Sequence, residues 1–511
     1  MDLGTWVFLI VALGVALGFE PVNGFHDTAN AVATVIYTNS LKPNKAVVWS
    51  GLCNFVGVYL GGVSVAFSIV YLLPVDLLIS IGSGGGMAMV LALLTAAILW
   101  NLGTWYMAIP SSSSHALIGA ILGVGLASSL GSGREFGSGV NWTKAGEVGL
   151  ALLLSPILGF CASALLLWLT RVFLSDPTLH EPPRGEKPPP PGIRGALLLT
   201  CTGISLAHGS NDGQKGIGLI MLILIGILPS RFALNLDCTA EQVKDATAAS
   251  ARAEVVLRHD PVDTFPLPMV SSMPTMGTLG GAFLNAVRGA NGPAWFGWGG
   301  EGSPSTPFET AGISVPDAAT VYRDLAFVRG ALANESNLRN LSEKQRWEIR
   351  NCILRLNYAL LKLERTSGTL LGPHDVQTLR EVRLRLRVLT DYSPTWVLIA
   401  VALALAIGTM LGWKRIVVTV GEKIGKAHMT YAQGASAGLV AMSAIGLAAA
   451  CGLPVSTTHV LASGVAGTMS AQGAGLQGDT VKKIAMAWIL TLPVCIVLSG
   501  LLFQLFLRLA S

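Results

Sequence analysis

Eight apolar runs long enough to cross a bilayer, and two shorter ones, constrain this chain to fold as a bundle of membrane helices. A spanning helix needs about 20 apolar residues, because lipid cannot satisfy the backbone N–H and C=O groups. The long runs lie at about 5–39, 46–72, 87–108, 147–172, 195–228, 395–412, 434–452 and 484–509, the shorter ones at 113–131 and 457–471. They predict an all-α polytopic membrane protein. Charged residues make up only 12% of the chain and mean hydropathy is +0.59. The net charge of +5 is modest and gives no nucleic-acid reading. Asp2 stands where a cleavable signal would carry basic residues, so none is expected. The seven cysteines have no metal-ligand spacing, and no resident metal or cofactor is expected. Cys238 and Cys352 could pair only in an oxidising compartment.

Two runs carry polar residues at membrane depth. Asn23-Gly24-Phe25-His26-Asp27-Thr28-Ala29-Asn30 interrupts the first, and Ala207-His208-Gly209-Ser210-Asn211-Asp212-Gly213-Gln214-Lys215-Gly216 the fifth. Irregular backbone is tolerated there only against protein or a cavity, so both stretches predict a broken helix. Glu20, Asp27, Asp212 and Lys215 are the charges placed well inside the runs. A carboxylate at that depth costs at least about 2.5 kcal/mol and by default has a function. Each such stretch is followed by a second motif. Pro110-Ser111-Ser112-Ser113-Ser114-His115 resembles Pro454-Val455-Ser456-Thr457-Thr458-His459. The order occurs twice, which marks an internal duplication. Broken helices in matching places of two halves predict inverted repeats with a binding site between them.

The expected organisation is one repeat at 1–172, a Pro-rich cytoplasmic linker at 173–194, and a second repeat at 195–228 and 394–511. A polar insert at 229–393 divides the second repeat. Asp27 to His115 is 88 residues, whereas Asp212 to His459 is 247, an excess close to the insert length. The insert predicts a small soluble helical domain after a Pro/Gly-rich stretch near 261–308. Ile349, Ile353, Leu356, Leu360 and Leu363 recur at helical spacing after a possible capping box at Ser342 and Gln345, and Val376, Leu379, Val382, Leu386 and Leu389 start another helix. Residues 317–333 suggest a third. Twelve basic residues of short loops, from Lys42 to Lys483, fall on one side of the membrane and three, Arg134, Lys144 and Arg508, on the other. The first side is then cytoplasmic, and crossing parity places the termini and the insert outside.

Hydroxyls at a helix start suit an anion, because unpaired N–H groups and the positive dipole end lie there. Ser111, Ser112, Ser113, Ser114, Ser456, Thr457 and Thr458 are therefore the candidate donors to a tetrahedral oxyanion, with Asn30 and Asn211 as further ligands. Asp27 and Asp212 repel an anion, so they are read as binding a driving cation or proton, with Glu20, His26 and His208 as companions. Imidazole titrates near neutrality, which suits a proton relay. Asn23, Gln214, Lys215, His115 and His459 are supporting residues, Lys215 as an ion-pair partner of an aspartate.

At these residues the chain resembles the inorganic phosphate transporter (PiT) family, most closely its bacterial low-affinity members. The resemblance runs through both membrane halves. It implies phosphate symport with protons or sodium, an inverted-repeat fold and a homodimer in the bacterial inner membrane. It carries over Asp27 and Asp212 as essential aspartates, and Ser111–Ser114 and Ser456–Thr458 as phosphate and ion contacts. Sodium-coupled relatives place an acidic residue before each Pro-Ser/Thr-His motif, but 87–108 and 434–452 contain none. That favours protons. The bacterial members also imply that phosphate travels as a neutral complex with a divalent metal such as magnesium. Two rivals remain: a cation channel or exchanger built on Asp27 and Asp212, and an intramembrane hydrolase using Ser114 and His115. Adjacent helical residues point about 100° apart, which disfavours the second.

Overall fold

In the computed structural model the described residues are 3–72, 84–131, 137, 140, 142–174, 176–183, 185, 187–259, 318–366 and 372–510. The Pro/Gly-rich stretch near 261–308, and Arg134 and Arg184, lie outside them. The first half comprises α1 (Leu3–Asp27), α2 (Ala29–Tyr37), α3 (Pro43–Leu60), α4 (Ser64–Val70), α5 (Gly84–Tyr106), α6 (Ser113–Gly131) and α7 (Trp142–Phe173). The long α8 (Pro191–Ile227) follows, then the insert helices α9 (Ala240–His259), α10 (Ala318–Leu332), α11 (Glu343–Thr366) and α12 (Pro373–Arg387). The chain ends with α13 (Thr395–Met410), α14 (Lys414–Glu422), α15 (Tyr431–Ala450), α16 (Thr457–Ala471) and α17 (Gly478–Ala510). Among the described residues six segments are long and apolar enough to cross a membrane, eight if each of two bent pairs is one span. Exposed Leu153, Leu165 and Trp168 on α7, and Ile489, Val497 and Leu501 on α17, suit contact with lipid.

The bends are not where the sequence suggested, and most of the glycines in question serve helix crossings instead. Neither aspartate stretch breaks its helix. α8 continues through His208–Gly216, and only Thr28, itself right-handed helical (φ −54°, ψ −35°), separates α1 from α2. The reason is close packing. A Cβ on Gly209 would lie 2.2 Å from the Asn54 carbonyl oxygen, and one on Gly57 would lie 2.2 Å from that of Leu206. α8 and α3 thus cross backbone to backbone. Gly24 and Gly408 do the same for α1 and α13, at 2.5 Å from Leu405 O and 2.4 Å from Pro21 O. Small residues at such crossings let membrane helices gain dispersion contact. The breaks lie instead at 61–63, where α3 and α4 meet at 76°, and at 411–413, where α13 and α14 meet at 63°. Gly62 and Gly412 supply the left-handed backbone at these bends, with φ of 72° and 64°.

Gly209→Val is expected to prevent assembly of the bundle. Neither backbone can move away without opening the α3–α8 crossing, and overpacking of this kind costs about 1–3 kcal/mol or more. The check is the yield of monodisperse protein extracted from membranes. A normal yield would mean that the crossing is looser than described.

Two helical hairpins face one another. α5 packs on α6 around the tip 107–112, and α15 packs on α16 around the tip 451–456. Each hairpin grips the other half, since α6 lies along α17 and α16 along α7. The proline motifs start α6 and α16 in the same way. Ser112 Oγ accepts from His115 N–H at 3.2 Å, and Ser456 Oγ accepts from His459 N–H at 3.1 Å. Each is an N-cap of the preferred residue type.

The insert helices enclose their own core. Ile349, Ile353, Leu356 and Leu360 of α11 meet Leu379, Val382 and Leu386 of α12 there, while Leu363 and Val376 are only partly buried. The capping box forms, with Ser342 N–H on Gln345 Oε1 at 2.9 Å and Gln345 N–H on Ser342 Oγ at 3.3 Å. The helix α9 was not anticipated; its signal was a second box, Thr239 with Gln242, before small apolar residues. Cys238 and Cys352 are not bonded to each other. The insert is tied to the membrane bundle by Tyr71, whose hydroxyl donates to Asp391 Oδ1 at 2.7 Å. Arg387 pairs with Asp391 at 2.6 Å and lies over the Tyr71 ring. The Asp391 carboxylate holds the Arg387 guanidinium above its ordinary pKa.

Candidate substrate and ion site

Helical spacing sets one side of the site. His208, Asp212 and Lys215 are four and three residues apart on α8 and share a face. Asp27 and Asn30 stand at the α1–α2 junction. All five are buried. The hairpin tips supply the other side. Ser113 Oγ donates to Asp27 Oδ2 at 2.9 Å, and Thr458 Oγ1 donates to Asp27 Oδ1. Asn30 Nδ2 reaches Asp27 Oδ1, Thr457 Oγ1 and Thr458 Oγ1, each at 3.2 Å. Lys215 Nζ bonds Asp212 Oδ1 at 2.5 Å and donates to Ser114 Oγ. Ser114 Oγ in turn donates to the Val455 carbonyl at 2.9 Å, which joins one tip to the other.

His208 links the two aspartates. Its Nε2 lies 3.3 Å from Asp212 Oδ2 and 3.9 Å from Asp27 Oδ2. Its Nδ1 lies 3.1 Å from Asn54 Oδ1, while Asn54 Nδ2 donates to Thr409 Oγ1 at 2.8 Å. Asn54 therefore offers His208 an acceptor, so Nδ1 carries a proton. The other nitrogen then faces two carboxylates, an arrangement favourable only if a second proton is present on the ring or on one carboxylate. One Asp27 oxygen, one Asp212 oxygen and a His208 nitrogen lie within 4.8 Å of one another, a grouping able to hold a cation and drawn from the residues the sequence put forward for ion coupling, without Glu20 and His26.

The remaining candidates are elsewhere or otherwise engaged. His26 Nε2 contacts Thr104 Oγ1 at 3.1 Å and Ser111 Oγ at 3.3 Å, a separate polar group beneath the first tip. Ser112 and Ser456 are the caps described above. The His115 and His459 rings stack with centroids 4.5 Å apart, and His459 lies 4.0 Å from the Trp488 ring. Asn211 Nδ2 donates to Leu453 O at 3.0 Å and holds the second tip. Gln214 secures the α3–α4 bend, accepting from Val65 N–H at 2.7 Å and donating to Gly61 O at 2.6 Å. Glu20 and Asn23 are wholly buried, Glu20 packing against Gly216 of α8. Sequence reasoning missed Asn54, Thr104 and Thr409. Each is a polar residue within a long apolar run, and that isolation was the available signal.

A polytopic helical bundle that holds paired aspartates between two opposed hairpin tips has the architecture of a membrane transporter. This chain belongs to the phosphate transporter family, whose sequence model matches residues 23–499 and so includes both aspartate stretches and both tips. It is 40% identical to the low-affinity inorganic phosphate transporter PitA of Escherichia coli K12, over 99% of this chain and 98% of that one. It is also 40% identical to PitB of the same strain, over 100% and 98% of the two chains. A low-affinity inorganic phosphate transporter of Buchnera aphidicola is 40% identical over 98% and 97%. Among solved structures, "The sodium-dependent phosphate transporter" matches with a TM-score of 0.50 at 18% identity, covering 98% of this chain and 99% of that one. At that identity the likeness speaks for the fold alone.

Proposed function

We propose that this protein is a secondary symporter that imports inorganic phosphate with protons across the bacterial inner membrane, taking the phosphate as a neutral complex with a divalent metal such as magnesium. The observation that carries the reading is the convergence of Ser113, Ser114, Thr457 and Thr458 from two helix starts on Asp27, Asn30 and Lys215. Hydroxyls, an amide and an ammonium are the donors that a tetrahedral oxyanion needs. The N-termini of α6 and α16 add their positive dipole ends. A metal-bound phosphate carries less charge into a site that already holds carboxylates. Proton coupling is favoured because α5 and α15 contain no Asp or Glu, while His208 stands between two carboxylates and can pass a proton. The grouping of Asp27, His208 and Asp212 supports sodium coupling as a second reading. Hydrolase chemistry is disfavoured, because the Ser114 hydroxyl is aimed at Val455 O while the His115 ring stacks on His459.

The test is uptake by proteoliposomes under an inward proton gradient, in sodium-free choline buffer with magnesium. Uptake is expected there and should fall when magnesium is chelated. Uptake that is absent, and appears with a sodium gradient at constant pH, would overturn proton coupling. In the same reading the insert is extracytoplasmic. A cysteine introduced at the exposed Lys344, in a cysteine-free background, is then expected to react with an impermeant thiol reagent added outside intact cells. Reaction only after lysis would place the insert in the cytoplasm.

A further inference from the structure

The two aspartates have different neighbours three residues along the chain. After Asp27 the residue is Asn30, and after Asp212 it is Lys215. The structure places these two side chains in equivalent surroundings. Asn30 Nδ2 bridges Asp27 Oδ1 and Thr458 Oγ1, at 3.2 Å each. Lys215 Nζ bridges Asp212 Oδ1 and Ser114 Oγ. Thr458 and Ser114 are each the fourth residue after their motif proline, Pro454 and Pro110. Each bridging group thus joins its own aspartate to the same position of the opposite tip. One is a neutral amide and the other is a cation.

The electrostatic consequence is asymmetric. A buried carboxylate requires a compensating charge or proton. Asp212 has one in the ammonium of Lys215, a side chain that is fully buried. Asp27 receives neutral donors from Asn30, Ser113 and Thr458, and among the described residues the one basic side chain within 4 Å of it is His208, at 3.9 Å. From these contacts the geometry points to Lys215 as a tethered cation that occupies the Asp212 half of the site throughout the cycle, leaving only the Asp27 half to exchange a coupling ion. An ammonium is a compact point charge with three donors, and it can stand where a monovalent ion would otherwise sit against a carboxylate and a hydroxyl. Lys215 is in this sense a specificity-determining residue. Replacing it with the amide found at the matching position would leave Asp212 and Ser114 facing a space that a sodium ion can fill. The inference rests on the symport reading given above and adds to it the number of exchangeable cation sites.

The experiment compares purified wild-type protein with Lys215→Asn for binding of radioactive sodium, thermal stability and phosphate uptake, each in sodium chloride and in choline chloride. Lys215→Asn is expected to be destabilised in choline, to bind sodium, and to recover stability when sodium is added. Its uptake should become sodium-stimulated by about tenfold, equivalent to about 1.4 kcal/mol. Wild type should show none of these responses. Lys215→Met removes the charge without supplying an oxygen ligand, and should bind no sodium and transport poorly in either salt. Should Lys215→Asn not assemble in either salt, Lys215→Gln presents the same amide on a longer stem and is judged by the same sodium binding. An assembled amide variant that binds no more sodium than wild type overturns the inference, as does full sodium-independent transport by Lys215→Met. A sodium requirement in wild-type uptake would instead defeat proton coupling, and it is read separately from sodium binding to the variants.

Discussion

Asp27→Asn lowers phosphate uptake by at least about 100-fold while the protein still assembles in the membrane. Asp27 accepts from Ser113, Thr458 and Asn30, which come from the first tip, the second tip and the helix that follows. It is thus the atom group on which both hairpins close. Asparagine keeps the shape but removes the charge and one of the two acceptor oxygens. Hydrogen bonds to charged groups contribute about 1.5–3 kcal/mol each, so weakening three of them amounts to several kcal/mol. The packing changes little, because the two side chains are isosteric and the charge was costly to bury. Uptake by proteoliposomes, set beside the melting temperature of the purified variant, separates the two effects. Wild-type uptake by a normally folded Asp27→Asn protein would remove this aspartate from the mechanism.

Asp212→Asn has a different outcome, in that stability suffers as well as transport. Lys215 is fully buried and pairs with Asp212 at 2.5 Å. Its other bonding partner is the Ser114 hydroxyl. Removing the carboxylate leaves an uncompensated charge in the bundle, which costs about 3–5 kcal/mol. The expected result is a much lower yield and melting temperature together with lost uptake. Asp212→Asn combined with Lys215→Met should recover most of the stability, since both charges are then gone, but not the uptake. That non-additivity is the signature of a buried pair. If the double variant is no more stable than Asp212→Asn alone, the loss comes from some other role of Asp212.

Much of this architecture was legible because lipid allows so few ways to satisfy a backbone. Among the described residues, run length located five of the six helices long and apolar enough to cross a membrane, the sixth being the run at 113–131 that looked short, and two copies of Pro-x₄-His located the tips. Asp27, Asp212 and the tip hydroxyls stood out by their isolation in apolar sequence, and the structure brings them together at one place. The helix breaks could not be read in this way. Gly24, Gly209 and Gly213 look like breakers in one dimension, but a missing Cβ also serves a close crossing, and only the positions of Leu405 O, Asn54 O and Val58 reveal which use applies. Residue type also left roles ambiguous. Ser112 and Ser113 are adjacent and chemically alike, yet one caps a helix and the other contacts Asp27, because successive residues at a helix start point in different directions. Asn211 and Gln214 lie beside Asp212 in sequence, but α8 turns them away from it towards Leu453 and Val65. Asn54 and Thr409 escaped notice because each stands among apolar neighbours with no motif around it.

The most direct test of the central claim is phosphate counterflow, which needs no ion gradient. Proteoliposomes are loaded with unlabelled phosphate and diluted into a trace of radioactive phosphate with magnesium, at equal pH and without sodium. Transient accumulation of label is expected with wild type, saturating as external phosphate rises and unaffected by sulfate, with none for Asp27→Asn or empty liposomes. Label that never exceeds the empty-liposome level, from wild-type protein shown to be folded and inserted, would contradict the assignment of phosphate to this site.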